Sequence, residues 1–378
     1  MPNMVSRKHT DKSQKYFYTS SDNMRHDENN FDFLRFLAAN LVIVRHSVPL
    51  TGNGISYAVK LTNHQTSLGA ICVEIFFIIS GYLISSSYIR LNNIFKYLLF
   101  RVLRIFPALV VVILITVFIV GPIVSRVPIN IYFTSATTFH YLKCILLYPM
   151  QYNLTGFNTH AVTEYNTAVN GSLWTLSLEF TCYLFIGILG FCKVLNKYTT
   201  FFIAGISLFL FVNFTTIFHP SENVFLYQKI WAISNFLDIL LIEFFRLTCY
   251  FFMGSFVYFI KDTIVYNWKW LLFSFIIVFL SCKAASGLNI ALPLFGTYIL
   301  FYLAFSKKIK LQNFGKYGDF SYGIYIYGFL IQQLLIMAYH GKMSNTLNYL
   351  IALPIAVGMG VFSYHLVEKP CMKLKKYF

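Results

Sequence analysis

The sequence predicts an all-α polytopic membrane bundle of about ten transmembrane helices with both termini cytosolic, and three observations carry that expectation. Apolar residues make up 57% of the 378 and charged residues only 12%, whereas a soluble domain carries ~25% charged residues. Mean hydropathy is +0.62, because apolar runs recur along the chain at about the length that crosses a bilayer. Lys and Arg fall mainly in alternate loops between those runs, the pattern of the positive-inside rule.

Residues 1–30 are polar and charged, rich in Lys, Asp, Asn, Ser and His, and read as a disordered cytosolic tail without a cleavable signal peptide. Apolar segments follow at about 32–50, 68–89, 97–120, 171–191, 199–218, 236–260, 269–283, 288–306, 319–340 and 347–367. Most reach the ~20 residues that cross the hydrocarbon layer, and 269–283 is short. A stretch at 138–150 is too short to span and reads as a re-entrant or interfacial piece of a long loop, 121–170. Residues 31–368 thus form one transmembrane domain, and 369–378 a short basic cytosolic tail.

Ten spans put both termini on one side. With the amino terminus inside, the inner segments hold twenty-one positive residues and the outer loops six. Arg35, Arg45 and Arg246 lie within spans. The net charge of +16 is therefore explained by cytosolic anchoring rather than by nucleic acid. The seven cysteines form no C-x-x-C pair and no Cys/His cluster, which argues against a disulfide framework and against a metal site.

Charge inside a span is expensive, ~2.5–3.5 kcal/mol on insertion scales, so each such residue is a candidate for function. Four stand out: Arg35, His46, Glu74 and Glu179. Arg35 and His46 share the first span, eleven residues apart. On a helix that spacing gives an angular offset of about 20° and a rise of about 16 Å, so both project from one face. His46, Glu74 and Glu179 are expected at similar depth, in the outer third of the membrane. A neutral imidazole beside a carboxylate is the pair an alcohol acceptor needs, the ring taking the hydroxyl proton and the acid orienting it. The bland alternative is that these groups satisfy one another as packing. At the cytosolic mouth of the third span, Arg101 and Arg104 are three apart on one face. Two guanidinium forks there suit a polyphosphate, and ordinary topology anchoring is the alternative.

Motifs in order along the chain resemble the acyltransferase-3 family of bacterial membrane O-acyltransferases. They are Arg35 and His46 ten residues between, VEIFFIISGYLI with Glu74, Ser80 and Gly81, RVLRIFP with Arg101 and Arg104, SLWTLSLEF with Trp174 and Glu179, and the late SYGIYIY and VEKP. The resemblance covers most of the chain. It implies transfer of an acetyl or other acyl group from cytosolic acyl-CoA, a co-substrate rather than a tightly bound cofactor, to a sugar hydroxyl. The acceptor would be a cell-surface polysaccharide, such as O-antigen of lipopolysaccharide, or its lipid-linked precursor, at the bacterial inner membrane. It implies that Arg35, Arg101 and Arg104 hold the CoA phosphates, that His46, Glu74 and Glu179 are catalytic with His46 as general base, and that Trp174, Ser172 and Tyr82 contact the acceptor. Two departures are visible: Glu74 stands where many members have Asp, and Gly328 where many have His. No extracytoplasmic hydrolase domain follows the last span, so the chain is expected to act alone or with a separate partner.

A glycolipid transporter is the rival reading, since it too uses intramembrane charge. The sequence shows neither an internal repeat nor paired broken helices of the kind that class favours. A membrane sensor would need a signalling domain, and the tail offers none. His64, His140, His160 and His219 fall in loops or at span ends and read as solvated; His365 beside Glu368 reads as a local contact. The N-x-S/T matches at Asn153, Asn170 and Asn213 read as chance.

Overall fold

The computed structural model describes residues 18–19, 29–52, 57–148, 150–159, 161, 163, 165–218, 234–306 and 308–378. The expected tail before residue 29, His160, His219, Lys229 and Lys307 lie outside them, apart from a two-residue backbone pairing of Tyr18–Thr19 with Val265–Tyr266.

Among the described residues, ten apolar helices build an all-α bundle, as expected. They are α1 (Phe31–Thr51), α2 (Leu68–Leu91), α3 (Ile94–Ile115), α4 (Trp174–Phe191), α5 (Lys197–Phe218), α6 (Ser234–Ile260), α7 (Trp268–Ser281), α8 (Gly287–Ala304), α9 (Ser321–Ala338) and α10 (Asn345–Ser363). Among the described residues, nine are long and apolar enough to cross a membrane. The exception is α7, whose 14 residues rise about 21 Å, short of the ~30 Å hydrocarbon layer. The protein is a multi-pass membrane protein.

Turns are set by side chains that cap helix ends. Asn92 takes a left-handed conformation (φ 43°) that stops α2, and the Asn93 carboxamide oxygen then accepts the Lys96 N–H to start α3. Ser67, Asn267 and Ser344 cap α2, α7 and α10 in the same way. The helix of α3 runs on through a wide π turn, Thr116–Val120, and a last turn, Gly121–Val124.

In lipid there is no hydrophobic force between helices, so close backbone approach and hydrogen bonds hold them. The crossing of α2 and α6 is of this kind. A Cβ at Gly81 would fall 1.8 Å from the Phe251 carbonyl oxygen, and one at Gly254 would fall 1.9 Å from that of Ile78. The Ser85 and Ser255 hydroxyls are 2.6 Å apart on the same seam. The central helix is α9, buried along almost its whole length between α1 and α10.

The chain that enters the bundle is not 138–150, for which a re-entrant or an interfacial role was expected. Residues 136–146 make two short helical turns at the end of α3, with Tyr132 beneath them donating its hydroxyl to the Val117 carbonyl at 2.8 Å. The chain that descends is 165–173. The Asn170 carboxamide donates to the Ile326 carbonyl at 2.8 Å, and the Gln333 carboxamide donates to the Tyr165 and Ala168 carbonyls at 2.6 Å each. Gln333 on α9 thus satisfies loop backbone that lipid cannot, the condition under which irregular chain is tolerated at membrane depth, and Asn170 ties the loop back to α9.

Candidate active site

The start of α1, the start of α3, the approach to α9 and the end of α10 meet at one end of the bundle, through charge. Asp319 accepts from Arg35 at 2.5 Å and from Arg104 at 2.6 Å. Arg104 also donates to Glu368 at 2.5 Å, and Glu368 accepts from the Ser363 hydroxyl at 3.0 Å. Arg101, one turn before Arg104, has no ion pair among the described residues; it donates to the Ser87 hydroxyl at 3.3 Å, with its Nε buried and unpartnered there. Burial alone would raise the Asp319 carboxyl, but the Arg35 and Arg104 guanidiniums, with the Ser321 hydroxyl and N–H, override it and bring it to about 2.

Eleven residues further along α1, about 16 Å away on helix geometry, His46 lines a cavity of about 760 Å³. Its walls come from α1 (Arg45, His46), the start of α2 (Gly69, Val73), the start of α4 (Trp174, Thr175, Ser177), α6 (Glu243, Arg246), α9 (Tyr325, Phe329), the descending loop (Tyr165, Ser172) and the chain before it (Tyr152). The His46 ring meets the Phe329 ring edge-on at 5.2 Å between centroids. Its Nδ1 is buried with no hydrogen-bond partner among the described residues. A ring nitrogen in that condition is available to a ligand.

The two carboxylates expected beside His46 are engaged elsewhere. Glu74 is ion-paired with Arg246, whose guanidinium also holds Glu243 at 2.5 Å. Glu179 accepts from the Ser80 hydroxyl at 2.8 Å and the Tyr183 hydroxyl at 2.5 Å. Neither lines the cavity. The expectation of one depth is also corrected. The Arg45 stem lies on Gly69, whereas Glu179 bonds Ser80, eleven residues and about 16 Å further along α2. Glu74 falls between.

Trp174 and Ser172 line the cavity; the Ser172 hydroxyl is buried and unpartnered among the described residues. Tyr82 does not line it. Its ring packs among Phe31, Tyr258, Phe301 and Phe305 near the arginine end. Gly328 faces α1, where an added Cβ would fall 3.0 Å from Ile43, so this position is filled by close helix packing. Asn170, buried and bonded to α9, is a structural residue rather than a surface acceptor.

Sequence comparison decides the family. A family model described as an acyltransferase domain matches residues 28–365, nearly the whole chain. The chain belongs to the acyltransferase-3 family. It is 31% identical over 350 residues to a protein of Shigella phage Sf6 named O-acetyl transferase, covering 91% of this chain and 96% of that one. It is 26% identical over 379 residues to nodulation protein 10 of Rhizobium leguminosarum bv. viciae, covering 94% and 96%. No solved structure matches it. The protein is a membrane O-acyltransferase, and the motifs that resembled the acyltransferase-3 family lie within or beside the two polar regions just described.

Sequence reasoning singled out neither Asp319 nor Arg246, Arg45 and Glu243. Arg45 and Arg246 carried the same signal as Arg35, charge within a span, and were legible on that ground. Asp319 is the first residue of its expected apolar segment and precedes the helix itself, and at such an edge a lone acid is unremarkable in sequence.

Proposed function

We propose that the protein transfers an acetyl group from cytosolic acetyl-CoA to a hydroxyl of a cell-surface polysaccharide or its lipid-linked precursor, at the bacterial inner membrane. The observation that carries this reading is the placement of His46, with an open ring nitrogen in a large polar-and-aromatic cavity, one pantetheine-length along α1 from a cluster of three arginines.

In this reading the arginine end faces the cytosol. Arg101, which has no carboxylate partner among the described residues, meets the CoA phosphates first, and Arg35 and Arg104 exchange part of their contact with Asp319 for phosphate oxygens. The pantetheine arm follows the polar groups of α2, α4 and α9, among them Ser80, Glu179 and the Thr175–Tyr325 hydroxyl pair at 2.6 Å. The acceptor sugar enters the cavity and packs against Trp174 and its neighbours.

His46 then takes the proton of the acceptor hydroxyl as its oxygen attacks the thioester carbonyl. The tetrahedral adduct collapses by breaking the C–S bond, and the imidazolium returns the proton to the departing CoA thiolate. No acyl-enzyme is needed. A positioned base of this kind is worth ~10²–10⁴ in rate. Glu74 and Glu179 act indirectly, Glu74 by fixing Arg246 in the cavity wall and Glu179 by ordering Ser80 and Tyr183 along the path.

The test is reconstitution with radiolabelled acetyl-CoA inside vesicles and a bacterial glycan extract outside. The reading predicts label on the glycan from wild type and none from His46→Ala. Movement of intact glycolipid without acetylation would replace it with transport.

A further inference from the structure

Two guanidiniums line the cavity, and they stand in different conditions. Arg246 is held by Glu74 and Glu243, so its charge is neutralised within the protein. The Arg45 side chain makes no hydrogen bond or ion pair among the described residues, and its Nε is buried without a partner there. Its aliphatic stem lies in a groove that Gly69 leaves open: a Cβ at that position would fall 2.7 Å from Arg45 Cγ. A cation in a membrane helix is costly unless it meets an anion or water, yet here the packing makes room for one and leaves its charge facing the cavity beside the base.

We propose that Arg45 is an anion subsite for the acceptor: the glycan presents an anionic group, a sugar carboxylate or the phosphate of its lipid carrier, within about one sugar unit of the hydroxyl that His46 deprotonates. This rests on reading the cavity as the acceptor site. The adjacency of Arg45 and His46, ~3.8 Å between Cα atoms, sets the reach. The planar guanidinium matches either oxyanion with two parallel N–H donors. Trp174 and Tyr152 supply aromatic wall for the uncharged face of the ring. The donor's phosphates are not the anion concerned, because Arg35 and its cluster lie ten residues, about 15 Å, away along α1.

Binding is measured by fluorescence polarisation on protein in nanodiscs, with three labelled probes: an oligosaccharide containing a hexuronate, the same oligosaccharide with its carboxyls reduced, and that neutral glycan on a polyprenyl pyrophosphate. Wild type is expected to bind at least one charged probe tenfold or more tighter than the neutral one, and the probe that shows this names the source of the charge. In Arg45→Gln the preference falls to within twofold, in Arg45→Lys part of it returns, and in Gly69→Ala it weakens although the charge remains. Equal binding of all probes by wild type, equal weakening of all probes in Arg45→Gln, or no binding of any probe overturns the proposal. Acetyl transfer measured on the same samples keeps the two readings apart. Transfer without charge preference removes the subsite and leaves the enzyme, and charge-selective binding without transfer does the reverse.

Discussion

Arg35 and Asp319 lie 284 positions apart in the chain and 2.5 Å apart in the fold. Asp319 also holds Arg104, so one carboxylate joins α1, α3 and the approach to α9. Breaking such a pair from one side leaves an uncompensated charge, a loss of ~3–5 kcal/mol. Asp319→Asn should therefore lower the thermal unfolding midpoint of the purified protein at pH 7.

The same pair sets a pH dependence with a fixed sign. The Asp319 carboxyl lies at about 2 in the folded protein, below its ordinary 3.8. Its stabilisation is then complete above pH ~4 and fades as pH falls toward 2. The stability gap between wild type and Asp319→Asn should be constant from pH 7 to pH 5 and narrow only below pH 4. A gap that closes nearer neutrality would assign the effect to another group.

Glu74 and Arg246 are best separated by a double-mutant cycle. Arg246→Met leaves Glu74 and Glu243 without their shared cation, and should destabilise by several kcal/mol, whereas Glu74→Gln keeps the Arg246–Glu243 pair and should cost less. Glu74→Gln combined with Arg246→Met should recover part of the Arg246→Met loss, because the more buried carboxylate leaves with its cation and only the more exposed Glu243 is left unpaired. Unfolding midpoints of the three variants check this. Additive losses would show that Glu74 acts otherwise than through Arg246.

The α2–α6 seam gives a prediction independent of chemistry. Gly81→Ala would drive a methyl into the Phe251 carbonyl, forcing the helices apart where backbone contact holds them. Little monodisperse protein should be recovered by size-exclusion chromatography. Gly205→Ala, with open space at its Cβ, should be recovered at wild-type level.

Most of the fold was legible in the sequence, because bilayer thickness sets a length that apolar runs report directly. All ten helices fall within a few residues of the expected segments. The chain that enters the bundle was not legible, since its signal is not hydropathy: 165–173 is held by Asn170 and Gln333, whose partners are backbone carbonyls distant in sequence. In the candidate site, the spacing of Arg35 and His46 on one helix could be read from periodicity alone. The partners of Glu74 and Glu179 could not. Which acid meets which base depends on how α2, α4 and α6 cross, and one sequence records the charges without their pairing. Tyr82 shows the same limit, its side chain taken into an aromatic cluster by helices far along the chain.

The central claim is a division of labour along α1, with the donor at the arginine end and the base at His46. It is tested most directly by measuring acetyl-CoA binding and acetyl transfer side by side in purified wild type, His46→Ala and Arg101→Ala/Arg104→Ala. The account predicts that His46→Ala binds acetyl-CoA as wild type does but transfers ~10²–10⁴ times more slowly, and that the double arginine variant loses donor binding. Correctly folded wild type that binds no acetyl-CoA at millimolar concentration, or a His46→Ala variant with undiminished transfer, would contradict it.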